Sequence, residues 1–331
     1  MLTLGIDVSK LTLDCYLSEG IEKKAKQSLR FQVSNTMEGF EELSVSLSRK
    51  GFSLEQVTVV LEPTSQYHKG LLYWLYDRKT SACVVNPADV RYFARSLGIY
   101  SKTDGLDCFV LAQLGQTRQP ITWQPPAKII KELDELLHLR HQIIVARGAT
   151  QIRLSELPAN VSPVLRQYHA ETLEHFRKQE TAINHEIQKL IASDTNLHTK
   201  HKLLQSSPGI GPVVASLLLV LFETKQFAKS SQVAAFCGVT PKEFQSGTSV
   251  LGQSRMTKRG PSQLRTGLRM AATAIVCSKK RSTLKEFYER LISMGKSKAC
   301  ALGAVMRKLT LVGYAIWRDL EAFNGFTSMA Q

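Results

Sequence analysis

The chain has no C-x-x-C pair and no histidine cluster at zinc-ligand spacing, although it contains six cysteines and eight histidines. This excludes the common zinc modules and dithiol redox chemistry. Cys15, Cys83, Cys108, Cys237, Cys277 and Cys300 are scattered, and they read as buried small apolar residues in a reducing cytosol. The amino terminus lacks a basic n-region and an apolar h-region, so no signal peptide is expected. No uncharged apolar run reaches the ~18 residues of a membrane span. The longest, Val213 to Phe222, has the length of a core helix. A soluble, cytoplasmic protein with no membrane partner is the expectation. Nucleotide hydrolysis is not expected. The run MGKS at Met294 to Ser297 ends like a P-loop, but Arg290 stands where its first glycine belongs and no buried strand precedes it. Gly209 to Gly211 spell GIG without a dinucleotide fingerprint, because a helical pattern leads in. No Ser-His-Asp set is readable from residue order.

What the chain has in excess is positive charge. Its 331 residues suffice for two domains with full cores, and the net charge of +15 favours a polyanionic partner. The excess is uneven: residues 1–120 hold 14 Lys+Arg against 13 Asp+Glu, and residues 121–200 hold 10 against 9. Residues 201–331 hold 19 against 6, so +13 of the net charge lies there. Solubility alone would be served equally well by mixed charges. A near-neutral region joined to a strongly basic one points to division of labour.

Residues 1–120 alternate strand and helix patterns. Leu2 to Val8 and Leu11 to Leu17 form a hairpin pattern and Leu29 to Val33 a third strand. Thr36 to Ser48 is a helix with Ser34 or Asn35 as its N-cap. Val57 to Leu61 reads as a strand buried on both faces, Tyr67 to Tyr76 as a helix, Ala82 to Val85 as a strand and Ala88 to Leu97 as a helix. Three antiparallel strands followed by helix, strand, helix, strand and helix is the element order of an RNase-H-like fold. Pro120, Pro125 and Pro126 mark a boundary. Residues 121–200 then carry two long, charge-laced helices, expected to run antiparallel as an arm or an oligomerisation coiled coil. Residues 201–331 are expected to be mainly helical, opening with a helix-hairpin-helix-like turn in SSPGIGPVVASLL. There Gly209 and Gly211 let backbone amides approach a phosphate at a helix N-terminus.

Four acids fall where such a sheet would gather them. Asp7 and Glu62 end strand patterns, and Asp104 and Asp107 sit three apart at the start of a helix, on one face. Four carboxylates in one pocket repel one another unless a divalent cation neutralises them, and the usual purpose is phosphodiester chemistry. In the basic region, Phe244 to Gly260 forms a polar stretch rich in Ser, Thr and Gly, expected as a flexible cationic loop, with Arg255, Lys258, Arg259 and Arg265 close by. Lys258 and Arg259 suit backbone contact better than base readout. Ser246 could touch a phosphate or act as a nucleophile; composition favours the former, since no local base activates it. Tyr67 and Trp74 read as core residues.

GIDVSK, LEPTSQY, VVNPADV, KTDGLD, SSPGIGPVVA, AAFCGVTP, FQSGTSVLGQSRMTKRG and GAVMRKL, in this order, closely resemble the DEDD recombinases of the insertion-sequence one-ten family, related to the Piv and MooV DNA invertases. The resemblance implies a RuvC-like domain whose acidic tetrad maps onto Asp7, Glu62, Asp104 and Asp107, holding Mg2+ or Mn2+. It implies a second, transposase-specific domain whose catalytic serine maps onto Ser246, reversing the compositional reading. It further implies attack on DNA through a phosphoserine, donor and target DNA chosen by a noncoding guide RNA, and a homo-oligomer, dimer or tetramer. One departure is local: the family's glycine-containing ATG after the glutamate reads PTS here, at Pro63 to Ser65. Two other readings remain open on the residues alone. One is a metal-dependent RuvC-type endonuclease that uses activated water; the other is a nucleic-acid-binding protein with a degenerate acidic site.

Overall fold

Strand β1 (Leu2–Val8) sends Leu4, Ile6 and Val8 to one face of a sheet and Thr3, Gly5 and Asp7 to the other. In the computed structural model, residues 2–21, 30–101, 104–246 and 250–325 are described, with the backbone alone for Asp104 and for residues 243–246 and 250–254. The chain divides into two units, Met1–Pro125 and Pro126–Gln331. In the first, β1 pairs antiparallel with β2 (Thr12–Ser18), which pairs antiparallel with β3 (Arg30–Ser34). On its other side β1 pairs parallel with β4 (Val57–Leu61), and β4 pairs parallel with β5 (Ala82–Val84). The order β3-β2-β1-β4-β5 is consistent with an RNase-H-like domain.

Both faces of this sheet are covered, which is why β4 is almost continuously apolar. Helices α1 (Met37–Arg49) and α2 (Tyr67–Asp77) bury Phe40, Leu43, Leu47, Leu71 and Leu75 against Leu4, Ile6, Val59 and Leu61. On the opposite face α3 (Pro87–Ser96) and α4 (Asp104–Arg118) pack over Tyr16, Val60 and Cys83. The cap of α1 is Thr36, rather than Ser34 or Asn35: its Oγ1 accepts from the Gly39 amide at 3.3 Å. Asn35 is committed elsewhere, donating to the carbonyls of Ser9 and Tyr67. Trp74 is buried, but Tyr67 is 40% exposed and is no core residue.

The second unit begins with α5 (Lys128–Glu156) and α6 (Pro163–Ala192), which run antiparallel. Arg140 donates to Asn184 Oδ1 at 2.6 Å and to Glu180 at 3.1 Å, so the seam carries a half-buried polar network. Ile130, Leu133, Leu137, Ile187 and Ile191 join the core formed by α7 (Thr195–Gln205), α8 (Pro212–Thr224), α9 (Ser230–Phe236), α10 (Ser262–Cys277), α11 (Thr283–Ser293) and α12 (Lys298–Asp319). By length and composition alone α12 could cross a membrane. It packs Ala301, Val305, Leu309, Val312 and Ile316 inside the unit instead, as a core helix does. The region is not wholly helical. The stretch expected to be a flexible loop contains a hairpin, β6 (Pro241–Ser246) and β7 (Val250–Met256). Four cysteines are buried as expected, whereas Cys277 and Cys300 are exposed; all six are free thiols.

Candidate active site

The acidic face is built by strand register. Ile6 pairs with Leu61 at the end of the parallel β1–β4 ladder, and Asp7 and Glu62 are the residues that follow them along the two chains. Both share the parity of residues facing α4, Gly5 on one strand and Val60 on the other. Helix α4 can approach because position 5 has no side chain: a Cβ there would lie 2.0 Å from the Cys108 carbonyl and 2.5 Å from the Ala112 nitrogen. Gly115, one turn beyond, makes a second close crossing, where a Cβ would lie 2.7 Å from methyls of Thr3 and Val60. Asp107 precedes Cys108 directly, and the first turn of α4 therefore lies on the face that carries Asp7 and Glu62. Asp7, Glu62 and Asp107 are half-buried.

Cys108, in the first turn of α4, feels the charges of this face. Burial, above all, pushes the Cys108 thiol up to about 12; the Arg30 guanidinium works against this, and Asp14 and Asp7 reinforce it. The thiol is inert, but Asp7, Asp14 and Arg30 all act on the first turn of α4. Asp14 stands directly opposite Asp7 across β1 and β2, a fifth carboxylate on this face that sequence patterning did not single out. Gln32, its partner on β3, donates to both of its oxygens, at 2.9 and 3.1 Å. The Arg30 guanidinium lies against Gly105, where a Cβ would be 2.6 Å from Nη1. The signal for Asp14 was available, because a hairpin register that pairs Val8 with Leu13 also pairs Asp7 with Asp14.

Among the described residues, no three acidic, histidine or cysteine side chains stand close enough together to hold a metal ion. The side chain of Asp104 is outside that description. As a donor set the tetrad is all oxygen, which suits a hard divalent cation rather than zinc.

In the second unit Ser246 is the last residue of β6, paired with Val250 at the tip of the hairpin. The base of the hairpin is clasped by two glycines. A Cβ on Gly238 would lie 2.6 Å from the Arg259 nitrogen, and one on Gly260 would lie 1.9 Å from the Phe236 carbonyl. The Thr257 amide donates to Thr240 O at 3.0 Å and the Lys258 amide to Gly238 O at 3.1 Å. Arg265 Nη1 donates to Gly260 O at 2.7 Å, which ties α10 to the same clasp. Arg255, Lys258 and Arg259 are exposed.

The turn between α7 and α8 contains Gly209 at φ +82°, pressed onto α10, where a Cβ would lie 2.7 Å from Ala271 O. Inside the turn the Ile210 amide donates to Ser207 O and the Gly211 amide to Gly209 O, each at 3.1 Å. Buried His201 supports it from below. Its Nε2 faces Pro212 O at 3.0 Å and must donate there, so Nδ1 accepts from Gln205 Nε2 at 3.0 Å. Burial lowers its pKa more than the bond to Pro212 raises it.

Residues 4–163 match a family model described as "Transposase", of DEDD type in IS110 elements, and residues 201–289 match "Transposase IS116/IS110/IS902 family". The chain is 29% identical over 327 residues to a pilin gene-inverting protein of Moraxella lacunata, covering 97% of each. It is 28% identical to the protein of the same description in Moraxella bovis, again covering 97% of each. An uncharacterized 43.6 kDa insertion element IS110 protein of Streptomyces coelicolor is 28% identical over 151 residues, 45% of this chain and 36% of that protein. With two models of one family matching successive parts of a chain that carries its DEDD pattern, the protein belongs to the IS110 family of DEDD transposases and is a DNA recombinase.

Proposed function

We propose that the protein is a serine-dependent, RNA-guided, site-specific recombinase of an insertion sequence, and that Asp7, Glu62, Asp104, Asp107 and Ser246 act on one DNA phosphodiester. The observation that supports this reading is the Ile6–Leu61 pairing, directly after which Asp7 and Glu62 follow, together with the close approach of α4 over Gly5. Held by the four carboxylates, Mg2+ or Mn2+ would offset negative charge on the phosphate oxygens. The Ser246 Oγ bonds to phosphorus as the bond from phosphorus to one deoxyribose oxygen breaks, and the serine proton passes to that oxygen, releasing a hydroxyl-ended strand and leaving a phosphoserine. A strand end from the second DNA then reverses the exchange. One phosphate ester replaces another at each step, so no nucleotide hydrolysis is needed, in keeping with the missing P-loop. Arg255, Lys258, Arg259, Arg265 and the Gly209–Gly211 turn contribute backbone contacts. A noncoding guide RNA selects donor and target, and the α5–α6 hairpin serves self-association into a dimer or tetramer.

The pilin gene-inverting relatives favour strand exchange over simple cutting. The test is Ser246→Ala with end-labelled DNA and denaturing electrophoresis. The recombinase reading expects a covalent protein–DNA adduct in the parent protein and neither adduct nor recombinant in the variant. Cleavage that persists in the variant would identify a RuvC-type endonuclease using water. Sequencing RNA that copurifies with the protein tests the guide.

A further inference from the structure

Residues 244–285 carry charge of one sign only. Nine of these 42 residues are Lys or Arg and none is Asp or Glu, where average composition would supply about five acids. Helix α10 runs through the stretch. One face of α10 buries Leu264, Leu268, Ala272 and Ile275, and the other exposes Ser262, Thr266, Arg269, Met270, Ala274 and Cys277. Exposed Lys258 and Arg259 stand just before the helix, and exposed Lys279, Lys280 and Arg281 just after it. Among the described residues, no ion pair engages Arg269, Lys279, Lys280 or Arg281. The turn that bears the last three is held in place. Its Lys280 amide donates to Ser278 Oγ at 3.1 Å, and Lys285 Nζ donates to the Ser278 carbonyl at 2.6 Å. Helix dipoles give these cations no net reason to be there, since they favour the C-terminal end of α10 but oppose the N-terminal end of α11. At its own N-terminus α10 has neither a side-chain cap nor an acid in its first turn, which suits an anion there.

We infer that the exposed face of α10 is a rail for the phosphate backbone of duplex DNA, running from the hairpin base to the turn between α10 and α11. Sixteen residues at 1.5 Å each make the helix about 24 Å long, with cations at either end and Arg269 between them. At 3.4 Å per base pair that length covers about seven base pairs. DNA is the occupant because α10 is joined to the hairpin that carries Ser246: Gly260 belongs to the clasp at the hairpin base, and Arg265 donates to the Gly260 carbonyl. The inference rests on the proposed role of Ser246 and extends it to Arg269, Lys279, Lys280 and Arg281, all outside the hairpin.

The test uses the full-length protein and anisotropy titrations on fluorescent duplexes of increasing length, each across a salt series. Replacing Lys279, Lys280 and Arg281 together by glutamine should lower the slope of log affinity against log salt by about two to three. The parent's affinity should keep rising with duplex length until about seven base pairs beyond the point where this triple variant levels off. Arg269→Gln should lower the slope by about one and leave the levelling length unchanged. All four positions are exposed, so melting temperatures should stay within about 2 °C of the parent. A control that replaces three exposed cations of α5 and α6, Arg153, Lys178 and Lys189, by glutamine removes the same charge elsewhere. Equal losses in the control and the triple variant would overturn the inference. So would an unchanged slope and levelling length in the triple variant, or a larger effect on duplex RNA than on duplex DNA. Failure of the serine reading shows separately, as the absence of a covalent adduct in the parent protein, and does not alter the salt slope or the length series.

Discussion

Replacing Gly5 by alanine isolates the contact that sets the acidic face. The new Cβ would meet Cys108 O at 2.0 Å and Ala112 N at 2.5 Å, whereas real Cβ contacts essentially never fall below 3.0 Å. Both obstacles are backbone of one helix, so neither can swing aside, and α4 must lift by about 1 Å. A radial gap of ~0.5–1 Å forfeits roughly a quarter to a half of each van der Waals well. The residues that lose contact are Cys108, Phe109, Val110, Leu111, Ala112 and Leu114, all buried against the sheet. Overpacking commonly costs about 1–3 kcal/mol, and a forced helix displacement belongs at or above the upper end. Gly115→Ala is the internal control. Its obstacles at 2.7 Å are methyl groups of Thr3 and Val60, which can adjust. It also gains up to ~1 kcal/mol of helix propensity, which a strand position such as Gly5 does not. The expected losses are about 3 kcal/mol or more for Gly5→Ala and about 1 kcal/mol for Gly115→Ala, read by urea denaturation. Trp74 and Trp123 report the first unit and Trp317 the second. Because α4 carries Asp104 and Asp107, Gly5→Ala should also reduce strand cleavage at temperatures where the unit stays folded. Equal losses for the two variants would refute the geometry.

Ser65 holds φ +47° three residues after Glu62. Ser65→Gly should stabilise the first unit by about 0.5–1 kcal/mol, since the left-handed penalty of ~1–2 kcal/mol outweighs the entropy glycine loses on folding. A lower melting temperature in that variant would contradict this. His201 is held neutral with a lowered pKa, so the unfolded state binds its proton first. Its share of stability is complete above its ordinary value near 6.5 and is lost as pH falls from there towards the lowered folded value. Melting curves of the parent and His201→Gln should therefore converge on acidification below about pH 6.5, and a constant gap would refute the assignment. Arg30 offsets carboxylate charge on the acidic face. Arg30→Gln should lower the melting temperature more in a chelator than in excess Mg2+, and an equal loss in both would remove that role.

The first unit was legible because its strands are short apolar runs with conventional punctuation. Alternation in LTLGIDV and the apolar run in VTVVL located β1 and β4 to the residue, whereas their register, Ile6 with Leu61, comes from the structure. The α1 cap was missed by one or two positions because Ser34, Asn35 and Thr36 are all capping residues. Only the tertiary bonds of Asn35 to Ser9 and Tyr67 decide among them. Asp14 was missed for a different reason. A carboxylate in mid-strand looks like a solvent-facing residue until the register places it opposite Asp7.

The hairpin that ends at Ser246 shows where pattern reading fails in the basic unit. KEFQSGTSVLGQSRM has a turn-forming SGTS between two strands, which is a hairpin signal. Its strands, however, alternate glutamine, serine and glycine with few β-branched residues, so propensity assigned it to loop. What holds it is not its own composition but the glycine clasp at its base, formed by two residues 22 positions apart. Gly238 and Gly260 interlock through backbone atoms, and either Cβ would break the crossing. A hairpin held at its base suits the role proposed for Ser246. On the role proposed for Ser246, Gly238 and Gly260 would serve catalysis by fixing the base of the hairpin, although neither carries any chemistry of its own.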